Sequence, residues 1–279
     1  DIPGLHTIDV YESQGGYKAF RKALGMKPEE VTDEVKKSGL RGRGGACFPT
    51  GLKWTFMPKQ TTKPKYICVN GDESEPGTFK DRQIFEFNPH LLIEGTLIGA
   101  YAMGVTTSFI YVRGEYGKWI RLLEKAIGDA YAKGYIGTGI LGSTFSTNII
   151  VHKGAGAYIC GEESSLMNSI EGMRGYPRIK PPFPAQFGLW GCPTTINNVE
   201  TMCNVPLIIN NGWEWYSKIG VPKHPGPILV GISGHVNRPG VYELPTGVPL
   251  LEIIYKHAGG VPGDKKIKAV AVRGTKDLC

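Results

Sequence analysis

The chain has 279 residues, of which 41% are hydrophobic, and a formal net charge of +7 from 32 basic and 25 acidic side chains. This length permits one large domain with a small one, or two of medium size, and a core that needs no disulfides. No apolar run approaches the roughly 20 residues that cross a bilayer. No RNP, zinc-finger or basic-helix pattern is present either. We therefore expect neither membrane insertion nor nucleic-acid binding.

The cysteines are expected to be free thiols. Residues 1–20 lack the charged start and apolar middle of a secretory signal, so a reducing, intracellular compartment is the default expectation. No two cysteines have CxxC or CxxxC spacing, which argues against a zinc or iron–sulfur site built from neighbouring ligands. The six cysteines are Cys47, Cys68, Cys160, Cys192, Cys203 and Cys279.

Alternating helical and β-branched segments predict an α/β protein with a mostly parallel sheet. A short helix is expected at 28–39, with Pro28 near its first turn and Gly39 as its stop. It leads directly into a glycine-rich stretch. Further helices are predicted near 89–103 and 116–133, and buried strands at 65–70, 108–113 and 148–153.

The sequence pattern changes near residue 222. Residues 221–227 are rich in proline and indicate a linker. Residues 228–260 predict a strand, a turn, a strand and one amphipathic helix, and 267–272 predict a further strand. We therefore expect two domains, 1–226 and 227–279, of which the second is a small α+β unit that looks truncated at its end.

The most unusual stretch is "SGLRGRGGACFPTGLKW" at 38–54. The chain has 39 glycines, about twice the usual share of roughly 7%, and several are concentrated here. Gly42, Gly44 and Gly45 permit close approaches and φ values that side chains forbid, so that successive N–H groups can converge on an anion. The stretch is an imperfect dinucleotide fingerprint, because Cys47 occupies the third glycine position and a helix precedes it. An ordinary surface loop is the alternative.

A second stretch, "VNGDESEPGTFKDR" at 69–82, follows a predicted buried strand. Its polar side chains should therefore lie at the carboxyl end of that strand, where ligands bind in open α/β sheets. Asn70 and Asp72 suit ribose or ribityl hydroxyls, and a carboxylate such as that of Glu75 can orient a carboxamide. A solvated acidic turn is the alternative.

Two later stretches carry further candidates. In "GAGAYICGEE", residues 154–163, glycines precede a helix whose first turn holds Glu162 and Glu163, which could equally be ordinary partners of the helix dipole. Tyr158 could be a plain core residue. Residues 178–201 are rich in proline, and we expect no central element there until Thr201. Loops in this region are expected to present Phe183, Asn197 and Asn198 as a binding wall.

These four stretches, in this order and spacing, closely resemble the NADH-oxidising flavoprotein subunit of respiratory complex I. The related flavin subunits of NAD-linked hydrogenases and formate dehydrogenases share the motifs, so the motifs do not separate these classes. Residues 228–272 resemble the family's β-grasp module of the soluble-ligand-binding type. The resemblance implies a Rossmann-like FMN- and NADH-binding domain, followed by the β-grasp domain.

The resemblance also implies the chemistry and the residues of the site. FMN is held non-covalently and accepts a hydride from NADH, with Glu75 as the catalytic residue that positions the nicotinamide. FMN contacts fall on Gly42, Gly44, Gly45, Lys53, Asn70, Asp72, Tyr158, Gly161, Glu162, Asn197 and Asn198. NADH contacts fall on Phe48, Phe56, Glu75, Tyr158, Glu163 and Phe183.

Two departures from the family pattern stand out. Cys47 occupies a position where the family commonly has glycine. The family's helical domain, which ligates a [4Fe–4S] cluster, is expected to be absent from this chain, so no metal ligands are assigned here. The implied partners are a thioredoxin-like [2Fe–2S] subunit and the iron–sulfur subunit of the peripheral arm, on the cytoplasmic or matrix side of the membrane. A non-catalytic assembly subunit with the same fold is the alternative.

Overall fold

A four-stranded parallel sheet organises the larger part of the molecule. A computed structural model describes residues 2–272. The sheet consists of β1 (Tyr66–Gly71), β2 (Thr107–Val112), β3 (Asn148–Lys153) and β4 (Thr194–Asn198). Its order is β3-β2-β1-β4, and every pair is parallel. The carboxyl ends of all four strands therefore lie at one edge, which confirms the α/β class and the positions of the three predicted strands. The expectation that β3 is buried is wrong, because β3 is an edge strand in which only Ile149 is buried.

The fourth strand corrects one expectation. The prediction of no central element before Thr201 is wrong, because β4 pairs with β1 along its whole length and is buried for most of it. Its sequence, TTINN, is polar, but the Thr194 hydroxyl accepts from the N–H of Leu189 at 2.9 Å and donates to the carbonyl of Cys192 at 3.0 Å. Buried polar groups are tolerated when they have such partners. Asn197 and Asn198 are thus presented by a strand end and not by a loop.

Helices cover both faces of this sheet. They are α1 (Ile8–Ser13), α2 (Lys18–Leu24), α3 (Pro28–Lys37), α4 (Thr50–Thr55), α5 (Asp81–Phe87), α6 (Pro89–Met103), α7 (Gly117–Ala132), α8 (Glu163–Ile170), α9 (Val199–Asn211), α10 (Trp213–Ser217) and α11 (Leu250–Glu252). The three predicted helices correspond to α3, α6 and α7. Proline occupies the first turn of α3, where its missing N–H costs nothing.

The core centres on α6, which is buried on nearly all sides. A Cβ at Gly95 of α6 would lie 2.0 Å from the carbonyl oxygen of Met202 in α9, so only glycine permits this helix contact. The buried carboxylate of Glu94 accepts hydrogen bonds from the Tyr11 hydroxyl at 2.5 Å and from the N–H groups of Tyr17 and Phe20 at 2.9 and 3.0 Å. The N-terminal helices are thereby fixed to α6.

The C-terminal part is a small hairpin module. The linker region forms a two-residue pair of strands, β5 (Gly220–Val221) with β6 (His224–Pro225), and the hairpin itself is β7 (Pro227–Ile232) with β8 (Gly240–Pro245). The predicted amphipathic helix is α11, which continues as a π-helical turn at Ile253–His257.

The strand predicted at 267–272 is wrong, because those residues form no ladder. A strand exists only where its N–H and C=O groups meet those of a neighbour, and β7 and β8 pair with each other alone. Cys279 and the end of the predicted second domain, 273–279, lie outside the described residues. The boundary at 226/227 stays a prediction.

Candidate functional site

Three of the predicted stretches meet at the carboxyl edge of the sheet. The side-chain Nδ2 of Asn70, near the end of β1, donates to the carbonyl of Gly161 at 2.8 Å. The Nδ2 of Asn198, the last residue of β4, donates to the carbonyl of Asn70 at 3.4 Å. A Cβ at Gly161 would lie 3.4 Å from the carbonyl oxygen of Asp72. Parallel pairing thus brings together residues that are about 90 to 130 positions apart in the chain.

The glycine-rich stretch closes over this edge as a fixed loop. The N–H of Gly42 donates to the carbonyl of Phe48 at 2.9 Å. Gly45 has φ +99° and Cys47 has φ +51°, so both lie in the left-handed region that favours glycine. Cys47 therefore stands where glycine is the ordinary choice, at a cost of about 1–2 kcal/mol. A Cβ at Gly44 would lie 3.1 Å from the Cβ of Asn198, so the absence of a side chain allows this close approach.

Arg43 anchors the loop from behind. Its backbone N–H donates to the hydroxyl of Thr201 in α9 at 2.8 Å, and its Nη2 donates to the carbonyl of Pro225 at 2.8 Å. The side chain is buried. The loop is thus held by α9 on one side and by β6 on the other, unlike an unattached surface loop.

An ion-pair network lines the site next to the loop. Lys53, on α4, donates from Nζ to the Oε2 of Glu163 at 3.2 Å and to the carbonyl of Ile196 at 2.7 Å. Lys180 donates to the Oε1 of Glu163 at 2.5 Å and to the Oε1 of Glu162 at 3.3 Å. Sequence reasoning missed Lys180, because it lies among prolines with no carboxylate nearby in the sequence. Its proximity to Phe183 in the chain was the only available signal.

Both glutamates are held in the ionised form. Burial alone would raise the pKa of Glu163, but the ammonium groups of Lys53 and Lys180 hold that pKa below its ordinary value. Burial likewise opposes ionisation of Glu162, and hydrogen bonds from Ser164 and Ser165 lower its pKa overall. Glu162 caps α8 by accepting from these two N–H groups at 2.8 and 2.9 Å. One oxygen of Glu162 is therefore an ordinary partner of the helix dipole, as the alternative interpretation expects. The other oxygen accepts from Lys180.

Asp72 has the opposite electrostatic character. Burial raises its pKa from 3.8 to about 6, although a hydrogen bond from Ser74 at 3.2 Å and the charge of Arg113 partly offset this effect. Its N–H donates to the Oδ1 of Asn70 at 3.1 Å. The site thus holds a carboxyl group that is costly to ionise without a ligand, which is typical of functional sites.

Replacement of Asp72 by asparagine should stabilise the ligand-free protein in a pH-dependent way. The folded carboxyl binds its proton more tightly than the unfolded one, so the wild type loses stability as the pH rises from 3.8 to about 6. Asp72→Asn abolishes this loss while its side-chain oxygen still accepts from Ser74. We expect a gain on the order of 1 kcal/mol or less above pH 6, since Asp72 is partly exposed, and none below about pH 4. Urea unfolding at both pH values measures this, and a variant less stable than the wild type above pH 6 would contradict it.

Exposed aromatic rings stand beside the polar groups. The rings of Phe48 and Phe56 are 6.1 Å apart between centroids, and both are exposed, as is Phe183. Tyr158 is 62% exposed, so the core alternative for it is wrong, and its hydroxyl donates to the Oε2 of Glu75 at 2.6 Å. Within residues 2–272, no ring pair joins Phe183 to Phe48 or Phe56.

Asn197 and Asn198 differ from the expectation of two loop residues facing a ligand together. The buried Asn197 accepts from the Nε1 of Trp54 at 3.4 Å. The Oδ1 of Asn198 accepts from the N–H of Glu200 at 3.0 Å, and its Nδ2 donates to Asp81 at 2.7 Å. Successive strand residues point to opposite faces, which separates the two amides. A ligand contact by either one stays a prediction.

These groups fit a flavin nucleotide. The donor set combines loop N–H groups and a lysine for a phosphate, amide and carboxyl groups for hydroxyls, and exposed rings for a planar ring system. The absence of side chains at Gly44 and Gly161 lets these loops approach Asn198 and Asp72 closely, which holds the polar groups of the site together. For the described part of the chain, no cluster of His, Cys, Asp or Glu is arranged to hold a metal ion. The expected free thiols are confirmed at Cys68, Cys160, Cys192 and Cys203.

A parallel sheet with a glycine loop and this donor set at its carboxyl edge defines a nucleotide-binding α/β protein. Residues 35–207 match the Nuo51 FMN-binding domain, and residues 229–275 match the SLBB domain. The chain belongs to the Nuo51 FMN-binding family. No helix among residues 2–272 has the length and apolar character needed to span a membrane.

Named relatives narrow the family further. The chain is 54% identical to a subunit of the NADH-quinone oxidoreductase of Rhizobium meliloti, over 98% of this chain and 65% of the relative. It is 57% identical to the corresponding NADH-quinone oxidoreductase subunit of Aquifex aeolicus, over 96% of this chain and 63% of the relative. The chain thus spans a little under two thirds of these relatives. A solved NAD+-reducing [NiFe]-hydrogenase has a TM-score of 0.80 and 38% identity, over 89% of this chain and 42% of that one.

Proposed function

We propose that this chain is the flavoprotein module of an NADH-quinone oxidoreductase, in which NADH reduces a bound FMN. The observation that carries the proposal is the convergence, at one sheet edge, of the glycine loop, the lysine–glutamate network and the exposed aromatic pair. These lie in a chain more than half identical to the two bacterial oxidoreductase subunits. When bound, FMN supplies the redox chemistry, by accepting a hydride and releasing electrons singly.

The protein's part on the flavin side is binding and orientation. The N–H groups of the loop around Gly44 would bind the phosphate, and Lys53 would add a positive charge beside it. Asn70 and Asp72 would hold hydroxyl groups of the ribityl chain. Ionisation of Asp72 is costly in the ligand-free site, so a hydroxyl that donates to its carboxylate would lower that cost.

On the dinucleotide side, the protein supplies stacking surface and a fixed carboxylate. Phe48 and Phe56 offer ring faces to a base or to nicotinamide. Glu75 accepts from the hydroxyl of Tyr158, and its carboxylate would orient the carboxamide of nicotinamide. Glu163 stays ionised between Lys53 and Lys180. With FMN and NADH bound, these groups would set the distance and angle over which the hydride moves, and small displacements there can cost about a hundredfold in rate.

A second candidate is the flavin subunit of an NAD-linked hydrogenase or formate dehydrogenase. The observation that favours it is the likeness to NAD+-reducing hydrogenase, at 39% identity and a TM-score of 0.76 over 84% of this chain. The same site would then pass a hydride to NAD+ instead of accepting one from NADH. The higher identity to the oxidoreductase subunits favours the first candidate.

We propose that electrons leave toward partners of the complex I peripheral arm. These are a thioredoxin-like [2Fe–2S] subunit and an iron–sulfur subunit, on the cytoplasmic or matrix side of the membrane. A [4Fe–4S] cluster of the whole protein would be their entry point.

The 279-residue chain expressed alone should take up no iron–sulfur cluster. Such clusters need four thiolates, commonly with several in one loop, and the closest pair here is Cys192 and Cys203. Burial raises the pKa of the Cys203 thiol, which disfavours the thiolate form that binds iron. Iron analysis should give a value near zero, and about four irons per chain would contradict this expectation.

Titration of the flavin-free protein with FMN and with riboflavin tests the proposed function. Quenching of flavin fluorescence should report binding of FMN at least about tenfold tighter than riboflavin, because only FMN has the phosphate that the loop and Lys53 receive. A protein that binds neither flavin is the assembly subunit of the alternative view. Equal affinities for FMN and riboflavin would show that the glycine loop does not bind the phosphate.

Phe56→Ala should weaken NADH binding and leave FMN in place. The Phe56 ring is 53% exposed and packs near Phe48, so its loss removes stacking surface, worth about 1 kcal/mol or more, without opening the core. The dissociation constant for NADH should rise about five- to tenfold, while flavin content is unchanged. Phe87→Ala is the matched control, because Phe87 is 59% exposed on α5. An unchanged NADH affinity, or a loss of FMN, would contradict the assignment of Phe56 to stacking on NADH.

A further inference from the structure

A continuous chain of polar contacts leads from the candidate site into the hairpin module. The Nδ2 of Asn198 donates to the Oδ2 of Asp81 at 2.7 Å, and the Oδ1 of Asp81 accepts from the Nζ of Lys80 at 2.6 Å. The same Nζ lies 2.8 Å from the Oε2 of Glu200. The other oxygen of Glu200 accepts from the N–H of Leu229, on β7, at 2.8 Å. Glu200 thus joins the site to the module.

The charges in this chain of contacts are enclosed by protein. The side chain of Lys80 is 13% exposed, and those of Asp81 and Glu200 are each 5% exposed. Removal of one member of such a group leaves an uncompensated buried charge, which costs far more than the pair contributes. The positions of these side chains are therefore mutually dependent.

The glycine loop contacts the same segment of the module. Arg43 binds the carbonyl of Pro225 just before β7, and its N–H binds Thr201, which follows Glu200 in α9. A Cβ at Gly39 would lie 2.9 Å from the Cγ of Pro225. The glycine loop and the end of β4 are therefore both connected to the hairpin module at the first turn of α9.

We propose that Glu200 is a positioning residue for the flavin site: it fixes Asn198 through Lys80 and Asp81, and ties that arrangement to the backbone of the hairpin module at Leu229. Flavin binding and hairpin docking then stabilise each other, because coupling between two sites is reciprocal. The inference rests on the proposed function, but the two fail in different experiments. If the wild type binds no FMN, the function is wrong. If the wild type binds FMN and Glu200 has no influence on it, this inference is wrong.

Glu200→Gln tests the first half of the proposal. Glutamine keeps the size and one acceptor for Leu229, but loses the charge that holds Lys80. We expect the FMN dissociation constant to rise on the order of tenfold. Glu243→Gln is the matched control, because Glu243 is exposed on β8 directly opposite Leu229, and it should bind FMN like the wild type.

A double-mutant cycle separates positioning from general loss of stability. If Glu200 acts through Asn198, the variant with both Glu200→Gln and Asn198→Ala should bind FMN within about twofold of Asn198→Ala alone. Independent losses that multiply would overturn the proposal, as would an unchanged affinity in Glu200→Gln.

A measurement on the wild type covers the case in which Glu200→Gln does not fold. Addition of FMN should slow amide hydrogen exchange in the peptide 227–232 more than in the β3 peptide 148–153, which lies outside the polar chain. Equal slowing in both peptides, or none in 227–232, would overturn the coupling.

Discussion

Gly44→Val should yield a folded protein that retains no FMN. The φ of Gly44 lies outside the left-handed region, so valine meets no left-handed backbone strain there. A Cβ at this position already lies 3.1 Å from the Cβ of Asn198, and valine adds two methyl groups beyond it. The loop must then move away from β4, which would displace the N–H groups that we propose to bind the phosphate. Flavin content of the purified protein, read from its absorption spectrum, should fall to background.

Gly128→Val is the matched control for this substitution. Gly128 lies in α7, where a Cβ would have no atom within 4 Å, and valine is at least as good a helix former as glycine. This control should keep its full flavin content and its circular dichroism spectrum. Full flavin content in Gly44→Val as well would refute the assignment of this loop to phosphate binding.

Glu75→Gln should slow flavin reduction by NADH about a hundredfold while the fold and FMN affinity are kept. Glutamine can still accept the hydrogen bond from the Tyr158 hydroxyl, now 2.6 Å from Glu75, so the side chain stays near its place. It loses the charge that we propose to orient the carboxamide of nicotinamide. Stopped-flow absorbance under anaerobic conditions measures the rate directly.

Two further variants serve as comparisons for the rate of flavin reduction in Glu75→Gln. Tyr158→Phe keeps the carboxylate but removes the hydrogen bond that fixes it, so its rate should fall less than that of Glu75→Gln. Glu252→Gln changes a glutamate in the hairpin module, paired with Lys256 at 2.8 Å, and should reduce at the wild-type rate. If Glu75→Gln reduces as fast as Glu252→Gln, Glu75 has no part in the reaction.

Local sequence pattern predicted the elements whose burial follows from apolar residues. The strands β1 and β2 are rich in β-branched and aromatic residues and are largely buried, and α6 begins at Pro89 and ends at Met103, before Gly104. The strand β4 was not predicted, because its residues are polar and the sequence before it is rich in proline. Its place in the sheet depends on the pairing with β1, which no local pattern expresses. At 267–272 the opposite holds: the residues suit a strand, but they form no ladder with a neighbouring strand.

In the candidate site, too, the contiguous motifs were predicted and the long-range contacts were not. The glycine loop and the acidic stretch are contiguous, so their composition alone marked them as ligand-binding candidates. Lys180 and Glu200 were not predicted as site residues, because their contacts join residues far apart in the chain, such as Lys80 with Glu200. Spacing in sequence carries no information on such pairs. The left-handed φ at Cys47 explains why glycine is the ordinary residue at the first of the two departures from the family pattern.

Anaerobic addition of NADH to the FMN-loaded chain tests the central claim most directly. The claim is that these residues bring the two nucleotides together so that a hydride can move between them. The flavin absorption band should bleach within the mixing time of a hand-driven experiment, with about one NADH consumed per flavin, and return on admission of oxygen. A chain that holds FMN but keeps its full flavin absorption in excess NADH would contradict the account.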